Sequence, residues 1–130
     1  MAELHAGEQI QELRVTPDRY LTLRYAGASG DFNPIHIDEE FAKAVGLPGR
    51  ILHGLWTMAV LARAQSEAAG GAARLRRLKV QFRGMGLPEH EVVVTGTVRE
   101  RTDHGTALID TVAEQDGNQI IRNAEAEVEL

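Results

Sequence analysis

The chain has 130 residues, of which 43% are hydrophobic and 25% are charged, and its formal net charge is −5. This length suits one domain with a sizeable core, so we expect residues 1–130 to form a single domain. The acidic balance and the lack of a basic cluster argue against nucleic acid as a partner. The chain has no cysteine, which excludes disulfides and thiolate chemistry.

The start of the chain has no feature of a secretory signal. Glu3 and Glu8 interrupt the first eleven residues, which contain no apolar core. The longest apolar stretch, from Leu55 to Ala62, is too short to span a bilayer. We therefore expect a cytoplasmic protein with no membrane partner, and we expect residues 1–8 to be frayed.

Turn and capping residues organise the first half of the chain. Residues 10–15 predict a short strand. Thr16 and Pro17 predict the start of a helix, with Thr16 as its N-cap, and this helix should end at Gly27. Asp38 predicts the cap of a second helix, because the two acidic residues after it suit the positive end of the helix dipole.

An apolar segment that begins at Gly54 predicts the central helix of the fold. Between Gly54 and Ala62 the only polar side chain is Thr57, and a helix that is apolar nearly all round belongs in an interior. The pattern becomes amphipathic after Ala62, and the glycine pair at 70–71 ends the helix.

The second half of the chain changes to a period of two, which is typical of strands. Turn residues at 84–88, 103–105 and 116–118 divide it into four antiparallel strands, and Asp116-Gly117 is a strong hairpin signal. In the last strand, the row that starts at Ile120 alternates with the row that starts at Ile121. Four such strands and one apolar helix cover each other best as an antiparallel sheet curled around the helix, an α+β fold.

The least helix-like and least strand-like composition lies at residues 25–36, which read Tyr-Ala-Gly-Ala-Ser-Gly-Asp-Phe-Asn-Pro-Ile-His. Gly27 and Gly30 allow backbone angles that other residues avoid, and Pro34 fixes its own φ. We expect this loop to hold Asp31 and His36 together. A carboxylate and an imidazole in contact form a candidate acid–base pair.

The string Ser-Gly-Asp-x-Asn-Pro-x-His at 29–36, followed by His53-Gly54 at the start of an apolar helix, resembles the MaoC-like (R)-specific enoyl thioester hydratases and dehydratases. The resemblance implies one hot-dog domain, in which an antiparallel sheet wraps a long central helix. It also implies that Asp31 and His36 act on one water molecule, and that the Gly54 amide binds the thioester oxygen. We assign orienting or substrate-binding roles to three further residues, namely Ser29, Asn33 and His53, and expect His53 to donate the hydrogen bond that fixes the helix start.

The resemblance implies reversible hydration of a trans-2-enoyl thioester to the (R)-3-hydroxyacyl thioester, carried on coenzyme A or acyl carrier protein. This chemistry needs a base for the water at C3, an acid for C2, and a donor for the enolate oxygen, and an amide at a helix N-terminus can be that donor. No metal or redox cofactor is implied. The expected assembly is a homodimer, or a heterodimer with another hot-dog subunit.

Two other functions remain open from the sequence. A hot-dog thioesterase would hydrolyse the thioester, but such enzymes typically place a carboxylate on or near the central helix, and residues 54–64 have none. A subunit that only supports a catalytic partner has no need of Asp31, His36 and Gly54 together.

Some residues also have simpler interpretations. Asp31 alone would suit a turn, and Ser29 lacks the strand–elbow–helix context of a hydrolase nucleophile. A metal site formed by His36, His53 and Asp38 is not expected, because zinc ligands are usually more tightly spaced. Trp56 and Met58 suit either an acyl pocket or plain core.

A further expectation concerns residues 84–90, which read Gly-Met-Gly-Leu-Pro-Glu-His. This connection is richer in glycine than the Arg-x-Pro-type connection that the resemblance leads us to expect. It is a candidate for reshaping the entrance to the site or the contact between subunits.

Overall fold

The computed structural model describes residues 3–130. Within them, five antiparallel strands form one sheet in the order β1-β3-β4-β5-β2. No helix in this range is long and apolar enough to cross a membrane. The strands are β1 (Leu13–Val15), β2 (Leu75–Phe82), β3 (Val92–Arg101), β4 (Thr106–Gln115) and β5 (Asn118–Glu129). The helices are α1 (Leu21–Ser29), α2 (Pro34–Ile37), α3 (Glu39–Ala44) and α4 (Gly54–Ala69), with a short 3₁₀ turn at Ala72–Arg74.

The sheet packs against α4, the central helix that the sequence predicts. Leu61 on α4 is fully buried, as are Val94 on β3, Ile109 on β4 and Val128 on β5. These side chains form one continuous core, so the expected antiparallel sheet around a central helix is confirmed. Trp56 and Met58 are partly buried and pack against the same core, as the plainer interpretation expected.

The predicted strands and the predicted hairpin are present. Asp116 and Gly117 alone connect β4 to β5, with φ of 51° and 78°, as a two-residue turn of positive φ requires. One detail of the last strand differs from the strict period of two. A β-bulge near Asn123, where φ is 50°, shifts the register between β4 and β5. As a result Ile121 pairs with Ala113 and is fully buried, although strict alternation would place it on the face opposite the apolar row.

The first helix begins and ends later than Thr16, Pro17 and Gly27 predicted. It begins at Leu21 and ends at Ser29, with Gly30 in the left-handed conformation as its C-cap. The residues before it are used elsewhere: the Pro17 carbonyl accepts a hydrogen bond from the Glu89 N–H, and the Asp18 carboxylate accepts one from the Tyr20 N–H. Those bonds hold residues 16–20 in a turn rather than a helix.

Two more local expectations need correction. Residues 34–37 form the short helix α2, where the sequence suggested a loop, while α3 is capped by Asp38 as predicted. Of the residues expected to be frayed, 4–8 are docked: Leu4 is buried, and the Gly7 N–H donates to the Val98 carbonyl. Residues 1–2 lie outside the described range.

Candidate active site

A series of side chain to backbone hydrogen bonds shapes the segment between α1 and α2. The Ser29 hydroxyl accepts from the Asp31 N–H at 3.1 Å, and Asp31 Oδ1 accepts from the Asn33 N–H at 3.2 Å. Asn33 Oδ1 in turn accepts from the Ile35 N–H at 3.2 Å and so caps α2. Each acceptor bonds the backbone two residues later, which is the geometry that Ser, Asp and Asn favour in turns. The spacing of the string therefore determines its fold.

Helix α2, which follows Asn33 directly, places the His36 side chain next to that of Asp31. Nδ1 of His36 lies 2.8 Å from the Ile51 carbonyl oxygen, so Nδ1 carries the proton and donates it. In the neutral ring Nε2 then holds a lone pair, and it lies 3.8 Å from Asp31 Oδ2. The His36 side chain is only 10% exposed and the Asp31 side chain is 52% exposed. A buried base thus faces a carboxylate that is open to water.

His53 lies beneath this pair. Its Nε2 donates to the Asp31 carbonyl oxygen at 3.1 Å, and its ring stacks on His36 with centroids 3.8 Å apart and planes at 21°. The Tyr25 ring packs on its other side at 4.6 Å. Burial lowers the pKa of His53 below its usual value, and the neighbouring His36 lowers it further, so the neutral form is favoured. His53 thus donates a hydrogen bond directly before the start of α4, and the acceptor is the Asp31 backbone rather than a cap position of the helix.

Gly54 follows His53 directly and is the first residue of α4. Within residues 3–130, nothing accepts a hydrogen bond from its N–H, as is usual for the first turn of a helix. This donor lies at the positive end of a 16-residue helix, where an oxyanion is stabilised. The six residues singled out in the sequence thus form one contiguous group, namely Ser29, Asp31, Asn33, His36, His53 and Gly54.

Asp31, His36 and His53 also offer three ligand atoms within 4.8 Å of one another, so distance alone would admit a metal ion. His36 Nδ1 and His53 Nε2 already bond the backbone carbonyls of Ile51 and Asp31, so each ring has one nitrogen left as a ligand atom. Asp38, the third ligand considered from the sequence, is not part of this group, since its carboxylate caps α3 through the Phe41 N–H.

Comparison with known proteins agrees with this geometry. The family model for the MaoC like domain matches residues 4–119, most of the chain. The chain belongs to the MaoC-like domain family. The motif-based resemblance is therefore confirmed.

This MaoC-like chain spans only a small part of the fatty acid synthase subunits that it matches. Fatty acid synthase subunit beta of Aspergillus oryzae is 39% identical over 112 residues, which cover 81% of this chain but only 5% of that subunit. A solved MaoC-like dehydratase superimposes with a TM-score of 0.93 at 27% identity, covering 98% of this chain and 41% of the other. The (R)-hydratase from A. caviae involved in PHA biosynthesis gives 0.87 at 23% identity, covering 98% and 97%. At that identity the likeness shows the fold alone, and it confirms the hot-dog architecture.

Several residues that support the MaoC-like site escaped the sequence analysis. Arg50 donates to the Arg19 carbonyl, the Thr22 hydroxyl and the Glu39 carboxylate, and so joins the starts of α1 and α3. Its contacts lower the pKa of Glu39. No sequence pattern marks Arg50, because its partners are up to 31 residues away.

The glycine-rich connection at 84–90 is held in place rather than loose. The buried Gln115 side chain accepts from the Leu87 N–H and donates to the carbonyls of Leu87 and His90. The Gly86 carbonyl accepts from the Leu52 N–H at 2.8 Å, one residue before His53. The connection therefore borders the MaoC-like site.

Proposed function

We propose that this chain catalyses reversible hydration of a trans-2-enoyl thioester to the (R)-3-hydroxyacyl thioester. The observation that carries the proposal is the pairing of His36 Nε2 with Asp31 Oδ2 at 3.8 Å, with the His36 tautomer set by the Ile51 carbonyl. That separation is too long for a direct hydrogen bond, but a water molecule about 2.8 Å from both atoms fits beside them. Such a water would be polarised by a lone pair and a carboxylate together.

In the hydration direction, the water oxygen bonds to C3 of the enoyl group as the pair takes one of its protons. The π electrons of the C2–C3 bond move toward the thioester oxygen, which becomes an enolate. The Gly54 N–H would stabilise this oxygen, because the donor has no partner within residues 3–130 and lies at the positive end of α4. The proton held by the pair then passes to C2, so the enzyme returns to its starting state. Dehydration uses the same groups in reverse.

In this proposal three further residues orient the reacting groups, namely His53, Asn33 and Ser29. His53 bonds the Asp31 backbone and stacks on His36, so it fixes both partners of the pair. Asn33 and Ser29 fix the loop that presents Asp31 Oδ2 to the water. The substrate carrier would be coenzyme A or acyl carrier protein, and the chemistry needs no metal or redox cofactor because every proton has an acceptor in the site.

We further propose that a second hot-dog subunit, identical or different, completes the enzyme. β2 lies at the edge of the sheet, with β5 on one side and no neighbour on the other within residues 3–130. Eight residues of unpaired strand edge favour pairing with another chain. The partner would cover this edge next to the site.

The decisive test follows loss of the conjugated thioester absorbance with a short trans-2-enoyl-CoA. Asp31→Asn removes the charge with little change of shape. His36→Asn keeps an amide that can donate to the Ile51 carbonyl but removes Nε2. We expect each variant to lose about 10²- to 10⁴-fold in kcat.

Asp38→Asn is the matched control, because it makes the same change seven residues away at a helix cap that asparagine also supplies. Its kcat should stay near that of the wild type. Wild-type inactivity as purified would overturn activity of this chain as a homodimer and would argue for a supporting subunit or for a missing, different partner. Release of free thiol with the alkene intact would overturn the hydratase proposal in favour of a thioesterase.

A further inference from the structure

The backbone conformation of Gly54 does not explain why this residue is a glycine. It is the first residue of α4, where alanine would be a better helix former, and its φ is not in the left-handed region. A Cβ at this position would lie 3.1 Å from Cε1 and 3.2 Å from Cδ1 of Phe82. The ring of Phe82 thus occupies the space that a side chain at 54 would need.

Hydrogen bonds fix the backbone at Phe82 and directly after it. Phe82 is the last residue of β2 and pairs with Ile121 on β5. The next two N–H groups, of Arg83 and Gly84, both donate to the Ile120 carbonyl. These bonds fix the backbone that carries the ring, so a side chain at position 54 would have to displace the ring by rotation of its side-chain torsions.

Phe82 is nevertheless 48% exposed, and Leu55, the residue after Gly54, is 64% exposed. Two large exposed apolar side chains therefore lie near Gly54, whose N–H donor has no partner within residues 3–130. A thioester has matching chemistry, since it is an apolar group with a single strong acceptor oxygen. Small-molecule sites combine these features, an apolar surface and a few placed polar groups.

We propose that Phe82 is a positioning residue for the thioester, forming the apolar wall against which this group lies while its oxygen accepts from Gly54. The inference rests on the proposed function and adds to it the residue that sets the direction of approach. This proposal explains both residues: the ring of Phe82 leaves little room for a side chain at position 54, and contact with the thioester favours an aromatic ring at position 82.

The binding test uses a saturated short-chain acyl-CoA, which cannot be hydrated, and measures its Kd by calorimetry. We expect Phe82→Ala to weaken binding about tenfold, and Phe82→Leu, which retains an apolar wall, to weaken it less. Phe41→Ala removes a similarly exposed ring on α3 and should leave Kd unchanged. Unchanged binding by Phe82→Ala, or a change from dimer to monomer in that variant, would overturn the inference, since the latter would place the ring between subunits.

The packing test compares the unfolding midpoints of Gly54→Ala, Phe82→Ala and the double variant. We expect Gly54→Ala to lower the midpoint in the presence of Phe82 and to leave it level, or raise it, once the ring is gone. Strictly additive shifts would overturn the inference. Neither test depends on turnover. An inactive wild type would count against activity of this chain as a homodimer and would leave both tests of Phe82 in force. An active wild type with additive shifts would support the proposed function and overturn the inference.

Discussion

The segment from α1 to His53 and the sheet from β2 to β5 hold their shapes by different forces. In the segment, side chains of Ser29, Asp31 and Asn33 bond backbone groups two residues away, and most of these groups are exposed. In the sheet, backbone ladders combine with fully buried aliphatic side chains. Because the proposed catalytic groups lie in the segment and the buried core lies in the sheet, we expect substitutions to separate activity from stability.

The largest expected effect on stability lies in the sheet. Ile109 on β4 is fully buried, while its neighbour Leu108 is only half-buried on the opposite face. Ile109→Ala should lower the free energy of unfolding by about 2–5 kcal/mol, because it removes buried methyl groups and leaves a cavity. Leu108→Ala should cost clearly less in the same urea titration. Equal losses would break the comparison, because burial would then not be what holds the sheet.

A smaller and more selective effect is expected at two helix caps in the first region. Asn33 caps α2 and Asp38 caps α3, each through a side-chain oxygen. Replacement of either by alanine should cost about 1 kcal/mol of stability. Only Asn33→Ala should also lower kcat, by about tenfold, because α2 carries His36 and small displacements of reacting groups are costly. A similar kcat loss in Asp38→Ala would show that α2 and α3 act as one unit.

Gln65 is a polar side chain in the core, so its removal tests how much a buried polar group contributes to stability. It is fully buried on α4 and donates to the Leu61 carbonyl and the Thr111 hydroxyl, but its Oε1 has no partner. Because an unsatisfied buried acceptor is costly, Gln65→Leu should change the free energy of unfolding by no more than about 1 kcal/mol, in either direction. Thr111→Val, which removes the hydroxyl that accepts from Gln65, should be measured in the same way. A loss well above that bound for Gln65→Leu would mean that a buried water satisfies Oε1.

The smallest effects are expected from pH, and they have opposite signs in the two regions. Burial lowers the pKa of His53 from the usual 6.5, so the folded state binds fewer protons than the unfolded chain, and His53 favours folding at neutral pH. That contribution should fall as pH drops below about 6.5. In the turn between β3 and β4, Glu127 and Asp103 raise the pKa of His104, so its contribution is full below 6.5 and is lost as pH rises.

The measurement is the unfolding midpoint between pH 5 and pH 8. His53→Gln keeps an amide that can donate to the Asp31 carbonyl but cannot titrate, and His104→Gln is the matching change in the turn between β3 and β4. The first variant should flatten the acid side of the profile and the second the neutral side. A profile that neither variant alters would contradict both assignments.

Much of the sheet could be predicted from the sequence because its signals are local and repeated. Period two, turn residues and the Asp116-Gly117 hairpin all refer to neighbouring residues. What escaped prediction depended on distant partners. Thr16-Pro17 has the sequence of a helix start, but the Pro17 carbonyl is occupied by Glu89, which is far along the chain. The bulge near Asn123 is likewise set by pairing with β4.

The candidate site divides in the same way. The positions of Asp31, Asn33 and His36 followed from one short string with demanding spacing. The hydrogen-bond acceptor of His53 did not, because it is the backbone of Asp31, which lies 22 residues earlier in the chain. Phe82 also escaped, since an alternating strand pattern does not tell which end of the strand meets the start of α4.

The hydrogen-bond series from Ser29 to Ile35 has a consequence for protein engineering. Because each link joins residues two apart, the loop is encoded by eight consecutive positions and is a natural candidate for grafting onto another scaffold. The proton on His36 is not encoded there, since its acceptor is the Ile51 carbonyl. A graft of residues 29–36 would therefore transfer the shape of the loop, while the recipient would have to provide a carbonyl behind the imidazole to make it a base.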